Sequence, residues 1–183
     1  RTSALRGLGA LPNVVAIEGL MDELAARANI DPLAYRLNLL EDPRARAVVE
    51  RAGEIAGWDK RGPGGEGGGL GFAFARYKNS AAYCAVIVAL TVEEEVTLNG
   101  IWTVSDAGLV INPSGARNQL EGGCVQGASW ALKEQAKFEG EGMTTLDWDS
   151  YPILRFSEVP EITAELMDLP DEQTLGVGEC SVG

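Results

Sequence analysis

The sequence predicts an α+β fold in which helices come first and a mixed sheet with one inserted helix follows. Three observations carry that prediction. Apolar residues recur at helical spacing through the first 60 residues, and seven glycines fall in the ten residues from Gly62 to Gly71. Beyond them, Val, Ile, Thr and aromatic residues dominate.

In residues 12–29, Val14, Ile17, Met21, Leu24 and Ala28 form a stripe with Asp22, Glu23 and Arg27 mostly off it, the pattern of an amphipathic helix. Asp31-Pro32 and Asp42-Pro43 each join a good N-cap to a proline whose φ suits a first helical turn, so each predicts another helix. The second of these runs through Val48, Val49, Ala52 and Ile55, and Gly57 is placed to end it. Residues 1–61 are therefore a mainly helical segment. Residues 62–69 carry too many glycines for a regular interior and predict a mobile surface loop. A phosphate cradle would need a GxxxxGK[ST] pattern, which is missing, and Glu66 sits in the middle.

Residues 70–183 form the α+β segment. Strands are predicted at Leu70 to Arg76, Ala82 to Val92 and Val96 to Ser105, with Glu93, Glu94 and Glu95 as a solvated hairpin tip. Asn112-Pro113 signals a turn, and residues 116–136 return to helical spacing through Leu120, Val125, Ala128 and Leu132. Pro152 to Ser157 and Glu161 to Met167 read as two short strands around Pro160.

Composition narrows the function classes. Acidic residues number 27 against 15 basic ones, a net charge of −12, which argues against a surface that neutralises nucleic-acid phosphates. No histidine is present, so the Ser-His-Asp triad, the Cys-His dyad and histidine-containing zinc sites are excluded. Cys84, Cys124 and Cys180 are far apart in sequence and odd in number, indicating neither a disulfide framework nor a cysteine-only metal site. The longest apolar run, Ala81 to Leu90, is ten residues, against the roughly 18 or more of a membrane span. A start at Arg1 with no targeting segment leads us to expect that the true N-terminus lies elsewhere and that the chain is a fragment.

Three places break the patterns of ordinary surface or core. In Leu5-Arg6-Gly7-Leu8-Gly9-Ala10 two glycines precede the first helix, where a backbone can approach a ligand and the helix's positive end favours an anion; a tight turn explains the same glycines. In Asn118-Gln119-Leu120-Glu121-Gly122-Gly123-Cys124-Val125-Gln126-Gly127 three glycines inside a helix mean that something packs closely, either another helix or a flat ligand. Gln119 and Gln126, seven apart, share a face and offer amides to a heterocycle. In Leu175-Gly176-Val177-Gly178-Glu179-Cys180 a glycine-flanked carboxylate could be delivered into a pocket, where burial would raise its pKa and suit it to general-base work; an exposed turn is the plainer alternative. For Cys180, no neighbour in sequence lowers the thiol pKa.

Taken in order, these segments resemble one family. Arg1-Thr2-Ser3 leading to Leu5-Arg6-Gly7-Leu8-Gly9, then Ile17-Glu18, Met21-Asp22-Glu23-Leu24-Ala25 and Asp31-Pro32-Leu33-Ala34-Tyr35-Arg36 begin the series. Asp106-Ala107-Gly108, Asn112-Pro113, Gln119-Leu120-Glu121-Gly122-Gly123, Gln126-Gly127 and Gly176-Val177-Gly178-Glu179 complete it. The chain resembles the C-terminal part of the large, molybdopterin-binding subunit of the xanthine oxidase, or molybdenum hydroxylase, family. Ala75-Arg76-Tyr77-Lys78-Asn79 and Tyr151-Pro152-Ile153-Leu154-Arg155-Phe156 look most like bacterial isoquinoline 1-oxidoreductase beta subunits.

The resemblance implies the molybdopterin-binding fold of the aldehyde oxidase and xanthine dehydrogenase type. It implies hydroxylation of an N-heteroaromatic or aldehyde substrate, with water as the oxygen source and a molybdenum-molybdopterin cofactor, in its cytosine dinucleotide form, doing the redox chemistry. By the same resemblance Glu179 matches the catalytic base. Gln119, Gly122, Gly123 and Gly178 fall with the cofactor, Arg6 and Gly7 at its molybdenum end, and Leu8 over the substrate, where xanthine-type enzymes carry an aromatic residue. That departure points away from xanthine. The molybdenum is expected to be held by the pterin and by no protein ligand.

Implied partners are the preceding part of the large subunit, a small subunit carrying [2Fe-2S] clusters, since cysteine-rich cluster motifs are absent here, and an electron acceptor such as a cytochrome. The cytoplasm and the periplasm both fit. The isolated piece is expected to lack turnover, because the cofactor lies between it and the preceding part. Two competing readings are an acidic α+β docking module without catalysis and a carboxylate-based hydrolase pairing Glu179 with Asp168, Asp171 or Glu172.

Overall fold

Two aspartates set the helical segment. In the computed structural model, which describes residues 4–183, Asp31 Oδ1 accepts from the N–H groups of Leu33 and Ala34, both at 3.0 Å, and opens α2 (Pro32–Leu39). Asp42 Oδ1 accepts from Arg44 N at 2.9 Å and opens α3 (Pro43–Ala56), which ends where Gly57 turns left-handed at φ 65°. Both caps serve a second partner: Trp58 Nε1 donates to Asp31 and the Tyr83 hydroxyl to Asp42. Arg1-Thr2-Ser3, which begins the family series, lies outside the described residues.

The first helix, α1 (Ala10–Ala28), covers the predicted span but is rotated from the predicted face. Its buried residues are Glu18 and Ala25, whereas Ile17 of the expected stripe is 54% exposed. The reason is polar. Glu18 Oε2 accepts from Arg36 Nε on α2 and from the Phe74 backbone N–H, each at 2.8 Å. A carboxylate with a buried cation and an amide waiting for it turns the helix inward on that side.

The main sheet has four strands. Strands β1 (Gly68–Arg76), β2 (Tyr83–Val92) and β3 (Val96–Asp106) are antiparallel neighbours, and β6 (Ile162–Met167) adds in parallel to β3, so the sheet is mixed as predicted. The acidic triplet Glu93 to Glu95 is the exposed β2–β3 tip. Alternation along β2 explains the ten-residue apolar run. Tyr83, Ala85 and Ile87 pack with Val48, Val49 and Ala52 of α3, while Ala82, Cys84 and Val86 pack on the other face with Leu120, Val177 and Cys180. A strand covered on both faces reads as continuously apolar. Leu120 belongs to α4 (Pro113–Leu132), the inserted helix, which Asn112 caps by accepting from Gly115 N at 3.0 Å.

Elsewhere the structure departs from the predicted elements. Gly68 and Gly69 pair with Thr91 and Leu90 inside β1, so the glycine loop is shorter than 62–69. The helix placed at 116–136 starts at Pro113 and stops at Leu132. Pro152 to Ser157 is no strand: Leu154 N–H is taken by Ser129 Oγ at 3.0 Å and Arg155 N–H by the Glu158 carboxylate at 2.7 Å, with a single 3₁₀ turn at Phe156–Glu158. Side chains there capture the donors that a strand ladder would use. A two-residue hairpin, β4 (Phe138–Glu139) with β5 (Gly142–Met143), was not predicted.

Candidate functional site

Fold topology brings the three unusual sequence segments together. Arg6, in the turn before α1, sends Nε to the Gly178 carbonyl at 2.6 Å and Nη2 to the Gln119 carbonyl at 2.8 Å. The same guanidinium reaches the side-chain oxygens of Gln119 and Gln126 at 3.3 and 3.4 Å, so the two amides do share a face. Gly7 N–H then donates to Glu179 Oε1 at 3.0 Å. The backbone that allows this is unusual, with Gly7 at φ 87° and Leu8 at φ 52°. Residues near positions 6, 119 and 179 thus form one cluster held by a single arginine.

The α4 glycines divide into two roles. Gly123 is buried, and a side chain there would run into the Ser181 hydroxyl; at Gly127 a Cβ would lie 2.9 Å from the Val182 carbonyl. What packs on the helix at these two positions is the chain's own C-terminal segment, neither a second helix nor a ligand. Gly122 is different: it is exposed, and the nearest atom to a Cβ there is Arg6 Nη1 at 3.8 Å. Gln119 is exposed beside it, with its oxygen turned to Arg6. This open glycine face, edged by a side-chain amide, fits a planar, acceptor-rich heterocycle such as a pterin.

Glu179 is half-buried, and its carboxyl is held below the usual glutamate range. The Gly7 N–H is the largest cause, followed by Tyr77; burial opposes them, and Lys78 and Arg6 add to them. The expectation of a raised pKa is therefore reversed, because donors outweigh desolvation at this depth. Tyr77 and Lys78 lie in the β1–β2 turn and were not singled out as site residues in the sequence. Their part depends on a turn with Lys78 at φ 53° and Asn79 at φ 57°, which no local pattern announces.

Leu8 is 53% exposed and lines a cavity of about 670 Å³ with Gly7, Tyr77, Lys78 and Cys180. The cavity continues over apolar Phe74, Val14 and Met21 to the buried Glu18 and Arg36. Burial, foremost, raises the Glu18 pKa despite Arg36.

The three cysteines, scattered in sequence, are all free and buried. Cys180 pushes the Cys84 thiol well up, and Cys84 in return holds the Cys180 thiol down, a neighbour effect that sequence order does not reveal. Cys124 is pushed up to about 12, mainly by burial. Ser105 Oγ sits 3.6 Å from the Cys180 sulfur. Among the described residues no group of three or more His, Cys, Asp or Glu side chains could hold a metal ion, and no helix is long and apolar enough to cross a membrane.

Behind the site, Asp106 is fully buried at the end of β3. It takes Arg44 Nε and Nη2 at 2.7 and 2.6 Å and the Gly108 N–H at 2.9 Å. The following turn anchors the approach to Glu179, with Leu175 N–H on the Ala107 carbonyl at 2.8 Å. Glu172, a possible second acid for a hydrolase, is bound instead by Arg44 at 2.9 Å.

Comparisons with known proteins give the family and the fold. A family model for the molybdopterin cofactor-binding domain matches residues 39–160. A nicotinate dehydrogenase subunit of Pseudomonas putida is 37% identical over 98% of this chain and 16% of its own length. The beta subunit of isoquinoline 1-oxidoreductase from Brevundimonas diminuta is 34% identical over 96% of this chain and 23% of its own. The chain thus spans about a sixth to a quarter of these relatives. Aldehyde oxidoreductase from Desulfovibrio gigas superposes with a TM-score of 0.73 over 98% of this chain and 38% of that one, at 15% identity, and so shares the fold. The matched family model, the two relatives and the common architecture place the chain among the molybdopterin cofactor-binding domains of the xanthine oxidase family.

Proposed function

We propose that this chain is part of the catalytic subunit of a molybdenum hydroxylase that oxidises N-heteroaromatic or aldehyde substrates with water as the oxygen source, and that Glu179 is its general base. The observation that carries the reading is the Gly7 N–H to Glu179 contact of 3.0 Å, which fixes one carboxylate where three separated segments meet, next to residues Gly7 and Cys180 that line the cavity. The relatives support the substrate class: one is named for nicotinate, the other for isoquinoline.

When bound, the molybdenum-pterin group supplies the two-electron oxidation and the activation of water. The chain's residues bind, orient and accept a proton. Gln119 and the open face at Gly122 meet the heterocycle, with Arg6 bracing Gln119 against the Gly178 carbonyl. Gly123 supports that surface from behind by admitting Ser181. Glu179 is an ionised carboxylate at neutral pH and can accept a proton; the donors that lower its pKa hold it in place and make it a weaker base than a free glutamate. Leu8 and the apolar cavity wall beside it form the substrate side, and an aliphatic residue there suits a ring held from one face only.

In this reading the pterin is the cytosine dinucleotide, the [2Fe-2S] clusters sit on a separate small subunit, and electrons leave to an acceptor such as a cytochrome. The remainder of the large subunit completes the cofactor site.

The test is Glu179→Gln in the full subunit, assayed beside its molybdenum and pterin content. Loss of a general base predicts a fall in kcat/KM of about 10²–10⁴ at unchanged cofactor content. Full activity in that variant, or no molybdenum in the native subunit matured in its own host, would sink the reading in favour of a docking module.

A further inference from the structure

The β1–β2 turn carries an unsatisfied group beside the proposed base. Tyr77 accepts Ala81 N–H at 2.9 Å with its carbonyl and donates its own N–H to Ala82 O at 2.9 Å, which pins the ring against the core around Ala82 and Cys84. Its hydroxyl is shielded from solvent and is without a hydrogen-bond partner among the described residues. Buried hydroxyls are normally paired, because the lost water contacts must be replaced. The turn that places it is strained as well: Lys78 and Asn79 are consecutive left-handed residues, neither of them glycine.

The acceptor nearby is Glu179. Tyr77 packs against the cluster that holds Val177 and Cys180, on either side of Glu179, and lines one cavity with Gly7, whose N–H holds that carboxylate. Burial first and Glu179 second raise the phenol, and Tyr77 in turn draws the Glu179 carboxyl down. Other charged or titratable groups around the carboxylate are Arg6 before α1, Lys78 in the same turn and Cys180 next in the chain. From α4 come the neutral amides Gln119 and Gln126, both engaged by Arg6. Of all these, only Tyr77 has a hydroxyl donor left over.

We propose that Tyr77 is a positioning residue for Glu179: its hydroxyl completes a hydrogen bond to the carboxylate that Gly7 already holds, and so orients the base toward the cavity. This rests on the reading of Glu179 as the base. The strained turn is then the device that delivers a donor from the sheet edge to a carboxylate carried by the C-terminal segment. It also gives the Tyr77-Lys78-Asn79 turn a role that the cofactor contacts do not supply.

The experiment uses the cofactor-loaded full subunit with Tyr77→Phe, which removes the oxygen and little else, and with Glu179→Gln in parallel. The pH profile of kcat/KM is recorded, together with the infrared band of the neutral carboxyl that Glu179→Gln deletes. Loss of a donor to the charged form raises a carboxyl pKa, so the acidic limb and the infrared midpoint should both move up by about one unit. Molybdenum content should not change. 3-Fluorotyrosine at position 77 keeps the shape and is a stronger donor, so it should move both midpoints down, and it serves if the phenylalanine variant fails to fold. Profiles that superpose on the native one, with Glu179→Gln inactive, would overturn the role of Tyr77 and leave Glu179 as the base. An active Glu179→Gln would overturn both.

Discussion

Gly7 and Glu179 are 172 residues apart in the chain and are joined by one hydrogen bond of 3.0 Å from the glycine N–H to the carboxylate. Gly7 can make it because its φ of 87° belongs to the region that favours glycine, and its Cα faces Val182, where a Cβ would come within 3.3 Å of Cγ1. Gly7→Ala should therefore destabilise the protein by about 1–2 kcal/mol. It should also lower kcat/KM by more than that loss of stability explains. Thermal melting beside steady-state kinetics separates the two effects, and unchanged kinetics would show that the contact is dispensable.

The α4 glycines offer a contrast within one helix. Gly123→Ala pushes a methyl into Ser181, two residues beyond Glu179, and overpacking of that kind costs about 1–3 kcal/mol. Gly122→Ala meets only Arg6 Nη1 at 3.8 Å and exchanges a poor helix former for a good one, so its melting temperature should hold or rise. Reduced pterin content in Gly122→Ala alone would show that the exposed face carries the cofactor. Equal melting temperatures for the two variants would contradict the packing.

Asp106 depends on Arg44. The carboxylate is fully buried, and the guanidinium, raised further in pKa by that bond, covers it from a position 22% exposed. Removing the arginine leaves a buried charge unpaired, so Arg44→Met should cost about 3–5 kcal/mol. Hydrogen exchange should localise the loosening to the Ala107–Leu175 contact and the approach to Glu179. Protection unchanged in that segment would refute the anchoring role.

Glu18 and Arg36 predict a pH signature. The Glu18 pKa is raised by burial, so its contribution to stability is complete below the unfolded value and is lost as pH rises through the folded one. Arg36 limits that loss by pairing with the ionised form at 2.8 Å. Arg36→Leu should therefore be destabilised most at neutral pH. Removing Arg36 raises the folded Glu18 pKa further, so the deficit relative to the parent should shrink by about 1.4 kcal/mol for each unit that pH falls from the variant's folded pKa to the parent's lower one. Melting temperatures from pH 5 to 8 measure this, and a deficit independent of pH would rule it out.

Much of the architecture was legible because its causes are local. Asp31-Pro32 and Asp42-Pro43 place their helices through a carboxylate and a proline within three residues, and Gly57 ends α3 by a conformation that other residues avoid. The strands from Leu70 to Ser105 follow from side-chain type and from the Glu93–Glu95 tip. Failures came where distant groups intervene. Ser129 on α4 captures the Leu154 N–H and cancels a strand that the local sequence favours. The pair formed by Glu18 with Arg36 and Phe74 N–H outweighs the apolar stripe of α1 and turns Ile17 outward.

By itself, then, the sequence determined the order of helices and strands and, through the ordered motifs from Arg6 to Glu179, the family. Which residues meet was decided by tertiary structure alone: Arg6 bridging Gln119, Gln126 and Gly178, the three cysteines converging, and Tyr77 arriving beside Glu179. The division has a physical reason. Dihedral preference and hydrophobic period act between neighbours a few residues apart, whereas the pKa of Glu179 and the fit at Gly123 depend on donors and surfaces that become neighbours only after the sheet, α4 and the C-terminal segment have packed.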